Sequence, residues 1–358
     1  MSLSPLPLFR IPASAPTGVV TRRVSPRLLA ALSLAAALLC AALEPAAART
    51  ANGAAPAAKP VAAPAVTPTV APTAPASALT FTVVEGAGGV PLNVVTAGDK
   101  SKPPILLVHG IGQSYVSWEN QLKPPLTDEF YVVAFDLRGH GNSGKPWGKE
   151  SYNDYRNYAD DVQAVIKATG IDRPVLSGWS YGTLIVGDYL RAYGASGLRG
   201  IVLTGAYGGF TPPPPPAPAA LAAQMAKTRG MQLSGNLDDN IAAARSGIRF
   251  LTAKEMTPAY WERATQLALM LPAYARRYMW ERPIANMDLI PQLTVPFLIN
   301  VGGKDISTPE PQARELAAKV TGAQVSVYPD CGHSPFAEDP ERYNRELAEF
   351  ARAAFARR

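Results

Sequence analysis

Short β-branched apolar runs recur in this chain at 81–84, 93–96, 105–108, 131–135, 175–177, 201–204, 297–301 and 325–328. Between them lie stretches with helical spacing at 158–168, 183–193, 309–320 and 341–355. Strands alternating with helices predict βαβ units and a mostly parallel sheet covered on both faces, an α/β fold. The first two runs, joined by a Gly-rich turn at 86–89, predict an antiparallel hairpin at one edge. The alternation breaks between 206 and 289, where a Pro-rich opening leads into a helical, apolar stretch carrying Trp261, Leu271, Tyr274, Tyr278 and Trp280. Lying after the sixth strand and before the seventh, it predicts a helical cap over the C-terminal ends of the strands. Ligands bind at that edge in open α/β sheets.

The chain ahead of this body is of another kind. Residues 1–43 contain no acid, and Arg22, Arg23 and Arg27 precede an apolar run of 16 residues, 28–43. At about 1.5 Å per residue it reaches roughly 24 Å, short of the roughly 30 Å hydrocarbon core. Pro45 and three alanines follow, so 1–48 is expected to be a secretory signal or a membrane anchor, with export to the periplasm or beyond. Residues 45–78 hold 15 Ala and 7 Pro, and 49–78 is expected to be a tether without a packed structure. The catalytic question then concerns 79–358.

Charge and cysteine content exclude several functions. Six of the 34 basic residues and one of the 28 acids fall in the first 78 positions, leaving 28 against 27 beyond them. A near-neutral body is a poor phosphate-backbone binder, so no nucleic acid partner is expected. Cys40 and Cys331 give no disulfide framework, and His109, His140 and His333 are far apart in sequence, so no metal is expected. Oligomeric state is not legible.

The strongest chemical signal is Ser177-Gly178-Trp179-Ser180-Tyr181-Gly182, which follows a strand and opens a helix. A Gly-x-Ser-x-Gly turn in that context holds its serine on a sharp bend, hydroxyl outward, with the glycines leaving room on either side. Serine is a weak nucleophile until a base takes its proton. His333, after the last strand and before the final helix, is the expected base. His109 and His140 are better explained as loop braces. Asp305, after the 297–301 strand, is expected to orient the imidazole; Asp330, Glu338 and Asp339 are read as solvated or capping, and Asp136 as an anchor for Arg138 and its loop. The backbone N–H groups of Ile111 and Tyr181 are expected to form an oxyanion hole.

These pieces resemble the α/β-hydrolase superfamily across essentially all of 79–358. The matching motifs are His109-Gly110-Ile111-Gly112, the 136–143 segment Asp-Leu-Arg-Gly-His-Gly-Asn-Ser, the 178–182 elbow, Gly302-Gly303-Lys304-Asp305 and Gly332-His333-Ser334-Pro335-Phe336. The order Ser180, Asp305, His333 is the one that superfamily uses. Within it the chain is similar to cofactor-free bacterial esterases often labelled non-haem chloroperoxidases, which implies ester hydrolysis through an acyl-enzyme with no metal or organic cofactor. Epoxide hydrolases and haloalkane dehalogenases also resemble it but need a carboxylate where Ser180 stands. Alternatives within the fold are a C–C bond hydrolase, a lactonase or a perhydrolase; outside catalysis, a binding module would show a broken triad or blocked elbow, and neither appears. Trp118, Trp179 and Phe336 are expected to line the pocket for a small ester.

Overall fold

The computed structural model describes residues 78–213, 216 and 218–357. The segment expected to be a signal or anchor, and nearly all of the segment expected to be a tether, lie outside the described residues. No described helix is long and apolar enough to cross a membrane.

Each apolar run becomes a strand: β1 (Thr80–Glu85), β2 (Pro91–Ala97), β3 (Pro104–Val108), β4 (Tyr131–Phe135), β5 (Val175–Trp179), β6 (Gly200–Thr204), β7 (Phe297–Gly302) and β8 (Gln324–Tyr328). They form one sheet in the order β1-β2-β4-β3-β5-β6-β7-β8. The β1–β2 and β2–β4 pairs are antiparallel and the rest parallel. Strands β3 to β7 are buried at every residue. That explains their unbroken apolar sequences, since a parallel strand is covered on both faces.

The helices are α1 (Leu126–Glu129), α2 (Glu150–Asn153), α3 (Tyr155–Thr169), α4 (Tyr181–Tyr193), α5 (Ala219–Gln232), α6 (Leu237–Gly247), α7 (Pro258–Met270), α8 (Ala273–Trp280), α9 (Glu310–Lys319), α10 (Pro335–Glu338) and α11 (Pro340–Ala356). Side-chain alternation along the strands feeds two cores. Leu106, Val108, Leu176 and Leu203 pack with residues of α3, α4 and α9 on one face. Ile105, Leu107, Val175 and Val202 pack with Phe336, Tyr343, Leu347 and Phe350 on the other. Helix starts follow capping rules: Asp154 accepts from the Arg156 N–H at 2.8 Å ahead of α3, and Thr257 caps α7 with Pro258 in its first turn.

The interruption between β6 and β7 is helical, as expected, and comprises α5 to α8. Its two ends are fastened together. Asn286 at the exit donates from Nδ2 to Gly208 O at 2.7 Å, and from its backbone N–H to Gly209 O at 2.9 Å. Beside this clasp, Arg282 forms an ion pair of 2.6 Å with Asp188 on α4, both side chains buried.

Candidate active site

Strand β5 and helix α4 present Ser180 at the C-terminal edge of the sheet. Its backbone sits at φ 53°, ψ −119°, a region that non-glycine residues rarely occupy. The turn survives because its flanks are glycine. A Cβ on Gly178 would lie 2.5 Å from Gly182 O, and one on Gly182 would lie 2.3 Å from Val108 O. The Ser180 N–H is held by Thr204 O at 2.9 Å.

The loop between β8 and α10 brings His333 to the serine. His333 Nε2 lies 2.8 Å from Ser180 Oγ, and Nδ1 lies 2.7 Å from Asp305 Oδ2. Asp305 Oδ1 accepts from Ser307 N–H at 2.8 Å and Ser307 Oγ at 2.6 Å; Oδ2 also accepts from Thr308 Oγ1. Burial alone would raise the Asp305 pKa, but His333 and the two hydroxyls hold it below the ordinary carboxylate range. The aspartate side chain is 1% exposed and the histidine 12%.

Gly110 touches this group: its Cβ position is 3.0 Å from Ser180 Cβ. The turn bonds near the candidate oxyanion donors use other groups, Gln113 N–H to Gly110 O and Thr183 N–H to Ser180 O. Tyr181 is the first residue of α4, where no helical carbonyl lies four residues back to receive its N–H. Both expected donors thus belong to the loop and helix end beside Ser180.

The other expected residues divide. Trp179 and Phe336 line a cavity of about 40 Å³ together with Gln113, Tyr260, Ala264 and Leu267, between the 110–113 loop and α7 of the cap. Trp179 also donates its indole N–H to His333 O at 2.8 Å, bracing the histidine loop. Trp118 lines none of the described cavities. It is fully buried in the core with its ring centroid 4.4 Å from that of Phe336. His109 and His140 are loop braces: His109 Nε2 accepts from Leu137 N–H at 3.0 Å, and His140 Nδ1 lies 3.1 Å from Arg138 O.

Asp136 holds its loop, as expected, but not Arg138. It binds Asn93 Nδ2 and the N–H groups of Tyr115 and Asn142, while Arg138 pairs with Asp161 at 2.7 Å. Glu338 is neither solvated nor an ordinary cap. Buried, it accepts from Gly332 N–H at 2.8 Å on the histidine loop and from Ala253 and Lys254 N–H at 2.7 and 3.0 Å in the cap. The available signal was an acid in the short Phe336-Ala337-Glu338 turn just behind the histidine, where the fold demands burial.

Residues 103–340 match the family described as alpha/beta hydrolase fold. The chain belongs to that family. Among relatives of this hydrolase, AB hydrolase superfamily protein YisY of Bacillus subtilis (strain 168) is 29% identical over 260 residues, 69% of this chain and 91% of that protein. Epoxide hydrolase A of Mycobacterium tuberculosis is 37% identical over 99 residues, which span 27% of this chain and 30% of that protein. Among solved structures, esterase RhEst1 from Rhodococcus sp. ECU1013 is 26% identical with a TM-score of 0.64, covering 76% of this hydrolase and 99% of its own chain.

Proposed function

We propose that this α/β hydrolase cleaves carboxylic esters through an acyl-enzyme, with Ser180 as nucleophile, His333 as general base and acid, and Asp305 as its orienting partner. What carries the reading is the unbroken Ser180–His333–Asp305 relay, at 2.8 and 2.7 Å. Ser180 Oγ attacks the ester carbonyl as its proton passes to His333 Nε2. The carbonyl oxygen becomes an oxyanion facing the Ile111 and Tyr181 N–H groups, each worth roughly 3–4 kcal/mol in the transition state. Collapse expels the alcohol, protonated by His333, and water repeats the sequence on the acyl-enzyme to release the acid and restore the serine.

The likeness to solved esterases supports the ester class. The short match to an epoxide hydrolase does not carry that protein's chemistry here, because a serine stands where the alkyl-enzyme route needs a carboxylate. The test is hydrolysis of p-nitrophenyl esters of graded acyl length by the full chain beside Ser180→Ala. Turnover with an initial burst in the wild type, and a loss of about 10⁶-fold in the variant, is the expected result. Folded protein that turns over no ester would overturn the reading and point to C–C bond or lactone substrates.

A further inference from the structure

Three arginines are buried in this fold at 7% exposure or less: Arg138, Arg276 and Arg282. Arg138 has Asp161, with Nε and Nη2 each 2.7 Å from a carboxylate oxygen. Arg282 has Asp188, with Nη2 at 2.7 and 2.6 Å from its two oxygens. Arg276, on α8 of the cap, has no carboxylate among the described residues. Its guanidinium makes one hydrogen bond, from Nη2 to Ala268 O at 2.8 Å, and its centre lies 5.7 Å from the Trp280 ring centroid. No other hydrogen bond of this guanidinium is formed among the described residues, and neither Nε nor Nη1 is sealed from solvent without a partner. A buried cation without a partner is expensive, which is why the other two are paired.

The surroundings supply no hidden counter-charge. The buried Asp136 is engaged by Asn93, Tyr115 and Asn142. Burial, then His109 and the Arg276 and Lys145 cations, keep His140 well below the ordinary histidine range. Burial pushes the Arg276 pKa down to about 10, which still leaves it charged at neutral pH.

Its position matters more than its charge. A Cβ on Gly112 would lie 3.3 Å from Nη1 and 3.4 Å from Nη2, so the guanidinium lies close against the loop at this glycine. The same loop touches Ser180 through Gly110. Two residues of chain span at most about 7 Å, so the cation and the nucleophile flank one short segment, which also holds the Ile111 N–H. Within the cap the guanidinium also borders a cavity of about 20 Å³ lined by Gln232, Asn240, Ala268 and Leu271.

We propose that Arg276 is a specificity-determining residue that receives a carboxylate carried by the substrate, making acidic esters, such as hemiesters of short dicarboxylic acids, the preferred class. The inference rests on the ester-hydrolase reading above for its chemistry. The planar fork of a guanidinium matches a carboxylate in two parallel hydrogen bonds.

The experiment compares kcat/KM for monoethyl glutarate with that for ethyl pentanoate in the full chain, following release of ethanol. The wild type is expected to favour the acidic ester at least tenfold. In Arg276→Gln that ratio should fall at least tenfold, chiefly through KM, and in Arg276→Lys it should be intermediate. Equal ratios in wild type and Arg276→Gln overturn the proposal. If Arg276→Gln does not fold, the wild-type ratio and that of Arg276→Lys decide: no wild-type preference, or no change in the lysine variant, overturns it. Calorimetric titration with glutarate separates this proposal from the reading beneath it. Should the wild type hydrolyse neither ester, saturable glutarate binding that Arg276→Gln loses keeps the anion subsite while the ester reading falls. Titration curves that do not differ remove the subsite.

Discussion

Replacing Asp305 by asparagine tests how the candidate relay works, because the change is one atom in size and its consequence can be worked from the hydrogen bonds. Oδ1 faces the Ser307 N–H, a backbone donor that cannot turn round, and the Ser307 hydroxyl. Oδ2 faces His333 Nδ1 and the Thr308 hydroxyl. An asparagine must keep its carbonyl oxygen toward the fixed Ser307 N–H, which sends its NH₂ toward the histidine. Nδ1 then has to accept, so the ring proton moves to Nε2. An Nε2–H facing Ser180 Oγ at 2.8 Å can donate but cannot take the serine proton. The expected loss in kcat is about 10⁴-fold, or about 5.5 kcal/mol at 1.36 kcal/mol per decade, with KM little changed. Burst-phase kinetics with a p-nitrophenyl ester, beside circular dichroism to establish folding, would measure it. A folded variant within tenfold of wild type would refute the tautomer argument and with it the role assigned to Asp305.

Three further outcomes follow from the geometry. Gly182→Ala drives a methyl to 2.3 Å from Val108 O and should cost at least about 2 kcal/mol, a fall of roughly 4–8 °C in melting temperature; unchanged thermal unfolding would contradict the packing of the elbow. Arg282→Met strands the buried Asp188 carboxylate and should cost about 3–5 kcal/mol in urea unfolding, with much of it recovered when Asp188→Leu is added. Because Asp305 titrates lower in the folded chain than its unfolded value near 3.9, its contribution to stability is present in full above that value. It is lost as pH falls through the lowered value, so unfolding measured from pH 7 to 3 should show an acid limb that Asp305→Asn flattens.

The strands, elbow and histidine loop were legible because each is set by local chemistry. Buried parallel strands need unbroken apolar runs, and a serine on a left-handed turn needs glycines two residues away. The cap was legible as an interruption of that rhythm. Its buried charges were not. Nothing near Arg276, Arg282 or Glu338 in the chain says what they will meet. Arg138 illustrates the limit: Asp136 stands two residues away, yet the pairing goes to Asp161 across the fold. Trp118 fails as a pocket residue for the same reason. Its position after the 110–113 loop places it near the site in sequence, while the short helix it ends turns its ring into the core.

The fastening of the cap bears on how molecules reach and leave the serine. Ala253 and Lys254 hang on Glu338, and Arg282 hangs on Asp188, so the cap is bolted at both the histidine loop and the helix behind Ser180. Swinging it away as a rigid flap would strip partners from two buried carboxylates, each at a cost of several kcal/mol. That keeps a fully lifted state below about one molecule in a thousand. A fixed roof would leave passage to the narrow space at Trp179, which Tyr260 and Leu267 also line. On the proposed ester reading, the bulk of the departing acid or alcohol, more than any hinge motion, is then expected to set the rate of each cycle.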